Sequence, residues 1–163
     1  ILFKAKQNLL DILLEINDST LEKEFKEKMY SESSEFDASF EFLKFIENAK
    51  NDIILIDGYI DGTTLKLLSS KKENIKVRVL TDPKAISQVL EVLTEKFNKQ
   101  YGGLEIKSSK SFHDRFLIVD ESNFYQIGAS IKDLGNKTFS VVKLTEKFMT
   151  QALLGKFNEE WNK

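Results

Sequence analysis

Short apolar runs alternate with helical stretches through the middle of this chain, and that alternation limits the fold more than any other feature. Residues 53–57 and 76–81 are rich in Ile, Val and Leu and are typical of buried strands. Residues 40–50, 63–69 and 86–100 have the apolar spacing of helices. Strand, helix and strand in this order predict a β-α-β unit with a parallel pair of strands.

The second half of the chain adds antiparallel elements to this unit. We expect strands at residues 104–107, 112–119, 124–128 and 138–144, followed by a helix at 146–161. A turn at residues 120–123 joins the second and third of these strands into a hairpin. The sequence therefore predicts an α/β domain in which a mixed β-sheet is flanked by helices.

His113 is the only histidine in the chain, and it opens a run that ends at Asp120 and reads His-Asp-Arg-Phe-Leu-Ile-Val-Asp. If the strand begins near residue 112, alternation places His113 and Arg115 on one face, where both can meet the same anion. Imidazole supplies a nucleophile or proton carrier near neutral pH, and guanidinium supplies a permanent charge with forked donors. This pairing favours phosphate chemistry, although a lone histidine at a strand edge and a surface Asp-Arg pair are also common without function.

The pattern His-x-Arg-x-x-x-x-Asp resembles the His-x-Lys-x-x-x-x-Asp signature of the phospholipase D superfamily, and Gly128-Ala129-Ser130 stands where that family has a Gly-Ser turn. The resemblance extends from about Phe36 to Trp161. It implies a phospholipase D-like fold and a phosphodiesterase or nuclease that uses a phosphohistidine and needs neither metal nor cofactor. His113 would be the nucleophile or acid, Arg115 the phosphate clamp, Asp120 a supporting acceptor and Ser130 a hydroxyl behind them.

This chain carries one motif and no internal repeat. In the family a second motif histidine protonates the leaving group, so the resemblance implies a homodimer that brings two copies of His113 together across a twofold axis.

Three departures from the family pattern bear on catalysis. Arg115 replaces the usual lysine, Ile131 stands where the family has asparagine, and residues 138–142 contain no carboxylate to support the histidine. The chain also resembles the C-terminal module of certain eukaryotic MIT-domain proteins, which has a phospholipase D-like domain with a similar His-Asp-Arg run and binds phospholipid. The alternative function is therefore a non-catalytic module of a larger protein that binds phosphate on nucleic acid or on an anionic lipid surface, or that dimerises.

Several side chains are expected to surround the motif. Gly128, Ser130 and Lys132 are the predicted binding residues. Asp57 and Asp82 follow the two parallel strands, where α/β proteins usually bind ligands, but an aspartate there can also cap a helix, which is the better interpretation for Asp82. A basic cluster flanks the predicted site: Lys107, Lys110, Arg115, Lys132 and Lys137.

The first residues predict helix up to about residue 28, interrupted at residues 17–20. This segment is either a dimer-forming or linking helix that leads to an upstream domain, or a helix packed on the core of its own domain. Residues 31–35 are the predicted linker, so residues 1–34 form an N-terminal helical extension and residues 35–163 the phospholipase D-like domain. Because the chain begins with Ile1 and not with methionine, we expect further domains in the parent protein.

Composition narrows the remaining possibilities. Twenty-four basic and 26 acidic residues give a net charge of −2, which argues against a strongly basic nucleic-acid wrapper but not against a nuclease. With no cysteine and one histidine, thiolate and multi-histidine metal sites are excluded within one chain. Cysteine-free composition agrees with a cytoplasmic protein, and charged residues interrupt the apolar N-terminal stretch, so neither a signal peptide nor a membrane span is predicted.

Overall fold

The computed structural model describes residues 4–9, 12 and 25–163 of the 163-residue chain. Within these residues one mixed sheet has seven strands in the order β1-β7-β6-β5-β2-β3-β4. The strands are β1 Glu27–Tyr30, β2 Asp52–Ile56, β3 Lys76–Thr81, β4 Leu104–Ser108, β5 Arg115–Val119, β6 Asn123–Ile127 and β7 Phe139–Leu144. The mixed sheet confirms the architecture that the sequence predicts.

Four helices pack on the sheet: α1 Glu35–Glu47, α2 Gly62–Leu68, α3 Gln88–Gln100 and α4 Lys147–Trp161. Local chemistry explains where they begin. Asp61 and Thr64 form a reciprocal capping box at α2, and Ser87 caps α3 by accepting from the Leu90 N–H. The helix predicted from residue 86 begins at Gln88 because Pro83 opens a separate 3₁₀ turn, Pro83–Ala85, before the Ser87 cap.

Strand direction brings several loops to one edge of the sheet. β2, β3 and β4 are parallel, so their carboxyl ends lie together at what we call the carboxyl edge. β5 is antiparallel to β2, and Phe116 pairs with Ile56, which places the first residue of β5, Arg115, at this same edge. β6 returns to the edge with Ile127 opposite Arg115. The motif and the Gly-Ala-Ser turn are therefore neighbours, as the predicted hairpin requires.

The core has one layer on each side of the sheet, as the two-residue period of the strands dictates. One layer packs α1, α2 and α3 on side chains such as Leu55, Val79 and Leu117. The other packs α4, through Phe157 and Trp161, on alternate strand residues. Among the described residues no helix has the length and apolar character needed to cross a membrane.

The N-terminal segment departs from the sequence prediction. Residues 4–9 and 12 are helical, but Glu27–Tyr30, whose first two residues were predicted as the end of a helix, is strand β1 and pairs antiparallel with β7. Tyr30 is buried and stacks on Phe139 with ring centroids 4.9 Å apart, so sheet pairing outweighs the local helical charge spacing. The predicted break at residues 17–20 lies outside the described residues. The sheet therefore includes residues 27–30 of the segment predicted as an extension, and the division into an extension at 1–34 and a domain at 35–163 stays a prediction.

Candidate phosphate-binding site

Two adjoining clefts open at the carboxyl edge, and Tyr59 and Arg115 line both of them. The first, the histidine cleft, has a volume of about 220 Å³ and includes Thr81, Lys110 and His113. The second, the glycine cleft, has a volume of about 530 Å³ and includes Gly128, Ser130, Asp133 and Lys137. The site thus gathers residues from four loops that follow or precede the central strands.

Arg115 occupies the wall between the clefts. Its Nε lies 3.9 Å from Asp57 Oδ1, and its guanidinium lies over the Tyr59 ring, 5.5 Å from the centroid. The side chain is 27% exposed and makes no hydrogen bond to a described residue. The distance to Asp57 is too long for a hydrogen bond, so the ion pair and the Tyr59 ring orient the guanidinium without using its N–H donors.

Asp57 connects the end of β2 to the Gly-Ala-Ser turn. Its fully buried carboxylate accepts hydrogen bonds from Ser130 Oγ at 2.9 Å, from the Ile131 N–H at 2.8 Å and from the Tyr59 N–H at 3.0 Å. Asp57 therefore caps no helix. The Ser130 hydroxyl is buried and donates to Asp57, so Ser130 supports the turn from behind the cleft. The sequence signal for Asp57 was an aspartate directly after an apolar strand, and its contact with Ser130 was not predicted.

His113 lies in the loop before β5, because the strand begins at Arg115 and not near residue 112. The prediction that His113 and Arg115 share a strand face is therefore wrong, although both line the histidine cleft. The imidazole is exposed and has no hydrogen-bond or ion-pair partner among the described residues. Nothing in that part of the chain fixes its tautomer or ring orientation, which a catalytic histidine normally requires.

The loop that carries His113 is anchored below the cleft. Ser109 N donates to Thr81 O at 2.8 Å, and Ser109 Oγ donates to Glu160 of α4 at 2.9 Å. Hydrogen bonds from Lys163 and Lys156 lower the pKa of the Glu160 carboxyl to about 2. The base of the loop is thus tied to both β3 and the last helix.

Two buried polar side-chain atoms of the described residues have no hydrogen-bond partner, and both belong to residues that line the histidine cleft. They are Thr81 Oγ1 and Arg115 Nε. Buried polar groups are paired in the large majority of cases, so two orphans beside one cleft call for an explanation. A hydroxyl and a guanidinium N–H are both donors suited to an oxyanion.

Asp120 is not at the site. It follows the far end of β5, roughly 16 Å along the strand from Arg115. Its carboxylate accepts from the backbone N–H groups of Lys50, Asn51 and Asp52, the shortest at 2.6 Å. The structure gives Asp120 the role of joining the β5 end to the loop before β2, at the edge opposite the clefts.

The remaining predicted residues divide into two groups. Lys110 and Lys137 line the clefts with exposed side chains, and Gly128 lies in the glycine cleft with its N–H donating to Ser140 O at 2.8 Å. Lys132 instead pairs with Asp133 at 2.9 Å, a hydrogen bond that raises the pKa of Lys132.

The Lys107 ammonium group donates a hydrogen bond to the carbonyl oxygen of Trp161, at the end of α4, at 2.6 Å. Asp82 accepts from the Lys84 N–H at 2.8 Å at the start of its 3₁₀ turn, in agreement with a capping role. No three His, Cys, Asp or Glu side chains of the described residues are grouped so as to hold a metal ion.

Comparison with solved structures identifies the fold. Nuc of Salmonella typhimurium, a phospholipase D family member, matches with a TM-score of 0.63 and 18% identity over 84% of this chain and 95% of its own. NucT of Helicobacter pylori matches with a TM-score of 0.64 and 13% identity over 85% of this chain and 97% of its own. The chain therefore has a phospholipase D-like α/β fold, as the motif predicts.

TrmBL2 of Pyrococcus furiosus matches in both sequence and structure. This protein, named as an HTH-type transcriptional regulator, is 22% identical over 165 residues that cover 98% of this chain and 61% of TrmBL2. The structure of TrmBL2, described as an archaeal chromatin protein with a novel mode of DNA binding, matches with a TM-score of 0.56, 19% identity and 98% coverage of this chain. The chain thus spans about three fifths of that relative's length. No protein-family model matches the chain.

Proposed function

We propose that this chain is a non-catalytic phosphate-binding module of a larger DNA-binding protein, with the phosphate held in the histidine cleft. The observation that carries the proposal is the pair of orphaned donors, Thr81 Oγ1 and Arg115 Nε, beside that cleft. Phosphate oxygens accept from donors of both kinds, and the 27% exposed Arg115 side chain opens onto the cleft.

The cleft offers cationic donors to an anionic ligand. Arg115 and Lys110 contribute positive charges, and His113 adds a ring N–H donor. Asp82 faces the cleft but accepts from the Lys84 backbone, and Asp114 is exposed. The two cations are matched by the two carboxylates, so the preference for phosphate rests on the partly exposed guanidinium donors of Arg115 and not on a local excess of positive charge.

Two features favour binding over bond cleavage. His113 has no orienting partner among the described residues, and Ile131 stands where the family has asparagine. Catalysis by a histidine depends on such positioning, since small losses of geometry cost orders of magnitude in rate. A phosphate grip through Arg115 and Thr81 needs none of these groups.

The relative TrmBL2 supports DNA, in preference to lipid, as the source of the phosphate. The match covers 98% of this chain and only 61% of TrmBL2, which agrees with a module inside a longer protein. DNA binding is stated for TrmBL2 and extends to this chain as part of the proposal.

The test combines binding and cleavage in EDTA, with single-stranded DNA, double-stranded DNA and a generic phosphodiester as ligands. We expect no cleavage above buffer, and we expect Arg115→Gln to weaken phosphate and DNA binding tenfold or more. Thr81→Val should also weaken binding, while leaving the unfolding midpoint unchanged or higher because it removes an unpaired buried hydroxyl.

Lys76→Gln is the matched control, because this exposed cation lies at the opposite end of β3. It should leave binding within about twofold of the unmodified chain, and the Arg115→Gln effect should shrink with added salt. Equal binding by Arg115→Gln and Lys76→Gln would refute the proposed site. Retention on anionic vesicles in place of DNA, with the same dependence on Arg115, would refute DNA as the ligand.

A metal-independent nuclease is the second candidate. It is favoured by the match of Nuc and NucT over 95% and 97% of their lengths, and by the location of His113 and Arg115 in one cleft. This mechanism needs a homodimer in which two copies of His113 meet. Cleavage that survives EDTA, is lost in His113→Ala and coincides with a dimer in ultracentrifugation would replace the binding proposal with this one.

A further inference from the structure

We infer that the ligand of this site is an unpaired nucleotide, whose base stacks on Tyr59 while its phosphate is held at Arg115. This inference rests on the proposed function and specifies its ligand. It concerns the nature of the base contact, which phosphate binding alone does not require.

Tyr59 is a large aromatic side chain that is 61% exposed at the rim of a polar site. It is not loosely attached. Its backbone N–H donates to the buried Asp57 carboxylate at 3.0 Å, and its carbonyl lies 3.5 Å from the Ser130 hydroxyl. The Arg115 guanidinium covers part of the ring at 5.5 Å. The ring is therefore pre-oriented, and ordering it on a ligand costs little conformational entropy.

The location of the ring suits a nucleotide. Tyr59 lines both clefts, so a base on its open surface lies next to the Arg115 donors and to the orphaned Thr81 hydroxyl of the histidine cleft. The glycine cleft, at about 530 Å³, falls in the ~300–1,000 Å³ range of small-ligand sites. Lys137 in that cleft and Lys110 in the other provide cations for a phosphate on either side of the base.

The acidic groups near the ring are mostly engaged. Asp57 accepts three hydrogen bonds, Asp82 accepts from the Lys84 N–H, and Asp133 pairs with Lys132. Asp114 is the exposed carboxylate of the histidine cleft. The ring therefore lies beside more available donors than available acceptors.

Stacking on an exposed aromatic ring selects unpaired bases. A base inside a duplex already stacks on its neighbours and offers no free face, whereas a single strand or a free nucleotide does. Base-on-aromatic stacking tolerates any base, so the site should show little sequence preference. The clefts then favour single-stranded nucleic acid or a free nucleotide over a duplex.

The experiment uses the full chain and a fluorescently labelled oligothymidylate, with competition by thymidine monophosphate, inorganic phosphate and duplex DNA. Tyr59→Leu should weaken oligothymidylate binding about five- to a hundredfold, and Tyr59→Phe should stay within about threefold of the unmodified chain. Inorganic phosphate should bind the unmodified chain and Tyr59→Leu about equally. Tyr101→Leu is the matched control, because Tyr101 is 39% exposed and lies beyond α3 in a different groove.

The outcomes separate this inference from the proposed function. If Arg115→Gln abolishes phosphate binding but Tyr59→Leu binds oligothymidylate normally, the stacking inference is wrong and the phosphate site stands. If Tyr59→Leu loses phosphate and oligothymidylate equally, Tyr59 acts only by orienting Arg115, and the inference is again wrong. If Arg115→Gln changes neither phosphate binding nor oligothymidylate binding, the proposed function and this inference are both wrong. Equal affinity for thymidine monophosphate and the oligomer identifies a free nucleotide, and affinity that rises with length identifies a strand.

Discussion

Replacement of Asp57 by asparagine tests the contact that joins β2 to the Gly-Ala-Ser turn. Asp57 Oδ2 accepts from Ser130 Oγ and from the Ile131 N–H, and Oδ1 accepts from the Tyr59 N–H. An asparagine has one oxygen, so its amide must point NH₂ at one of the two backbone donors. The Ser130 hydroxyl can rotate to accept, but a backbone N–H cannot.

The expected loss of stability is set by the less costly of the two orientations of the asparagine amide. An amide that keeps its oxygen on the fully buried Ile131 N–H leaves the partly buried Tyr59 N–H unpaired, and it also replaces a charged acceptor by a neutral one. One unpaired buried donor costs about 1–3 kcal/mol, and hydrogen bonds to charged groups contribute about 1.5–3 kcal/mol. We expect Asp57→Asn to lower the free energy of unfolding by about 2–3 kcal/mol.

Urea unfolding followed by circular dichroism measures this loss as a lower midpoint with an unchanged slope. Asp61→Asn is the matched control, because Asp61 is an exposed cap of α2 and asparagine caps a helix as well as aspartate does. The control should change stability by less than about 0.5 kcal/mol. The reasoning is refuted if Asp57→Asn and Asp61→Asn unfold at the same urea concentration.

Three further predictions concern other parts of the fold. The pKa of Glu160 is lowered from 4.5 to about 2 in the folded chain. Its carboxylate therefore stabilises the fold fully above the unfolded pKa, and this contribution is lost as the pH falls toward 2. The difference in urea midpoint between the unmodified chain and Glu160→Gln should be present at pH 7 and shrink at pH 2. Asp120→Ala should lower stability by about 2–4 kcal/mol, because it removes the carboxylate that accepts from three backbone N–H groups, yet it should leave phosphate affinity unchanged. A parallel fall in affinity would contradict its structural role. Gly135→Ala should lower the free energy of unfolding by more than about 2 kcal/mol, because φ at Gly135 is 82° and an added Cβ would overlap the backbone of Glu35. Gly155→Ala, at an open position of helix α4, should instead raise the melting temperature.

If the binding proposal is correct, the phospholipase D-like fold here retains the anion site and lacks the supports of the reaction. Arg115 is the first residue of β5, and the turn at residues 128–130 lies beside it. The histidine, in contrast, lies in a loop without an orienting partner among the described residues. The assays with Arg115→Gln and His113→Ala separate these two functions of one cleft.

The sequence was informative wherever the physics is local. Buried strands and amphipathic helices have periods of 2 and 3.6 residues, so β2, β3 and α3 were predicted to within two residues at each end. The capping role of Asp82 was predicted because a cap bonds to a backbone N–H only two residues away. The single motif likewise indicated the fold that the solved structures identify.

Tertiary structure decided what depends on pairing between distant segments. The end of the N-terminal segment became strand β1 because β7 offers it an open edge more than 100 residues later. Asp120, grouped with His113 by sequence spacing, lies at the other edge because the five-residue strand β5 begins at Arg115 and ends just before Asp120. The hydrogen bond between Asp57 and Ser130, which are 73 residues apart, forms only because antiparallel pairing returns β6 to the carboxyl edge. Local periodicity carries no information about strand order, so the contact of Asp57 with Ser130 and the location of Asp120 at the other edge could be determined only from the folded sheet.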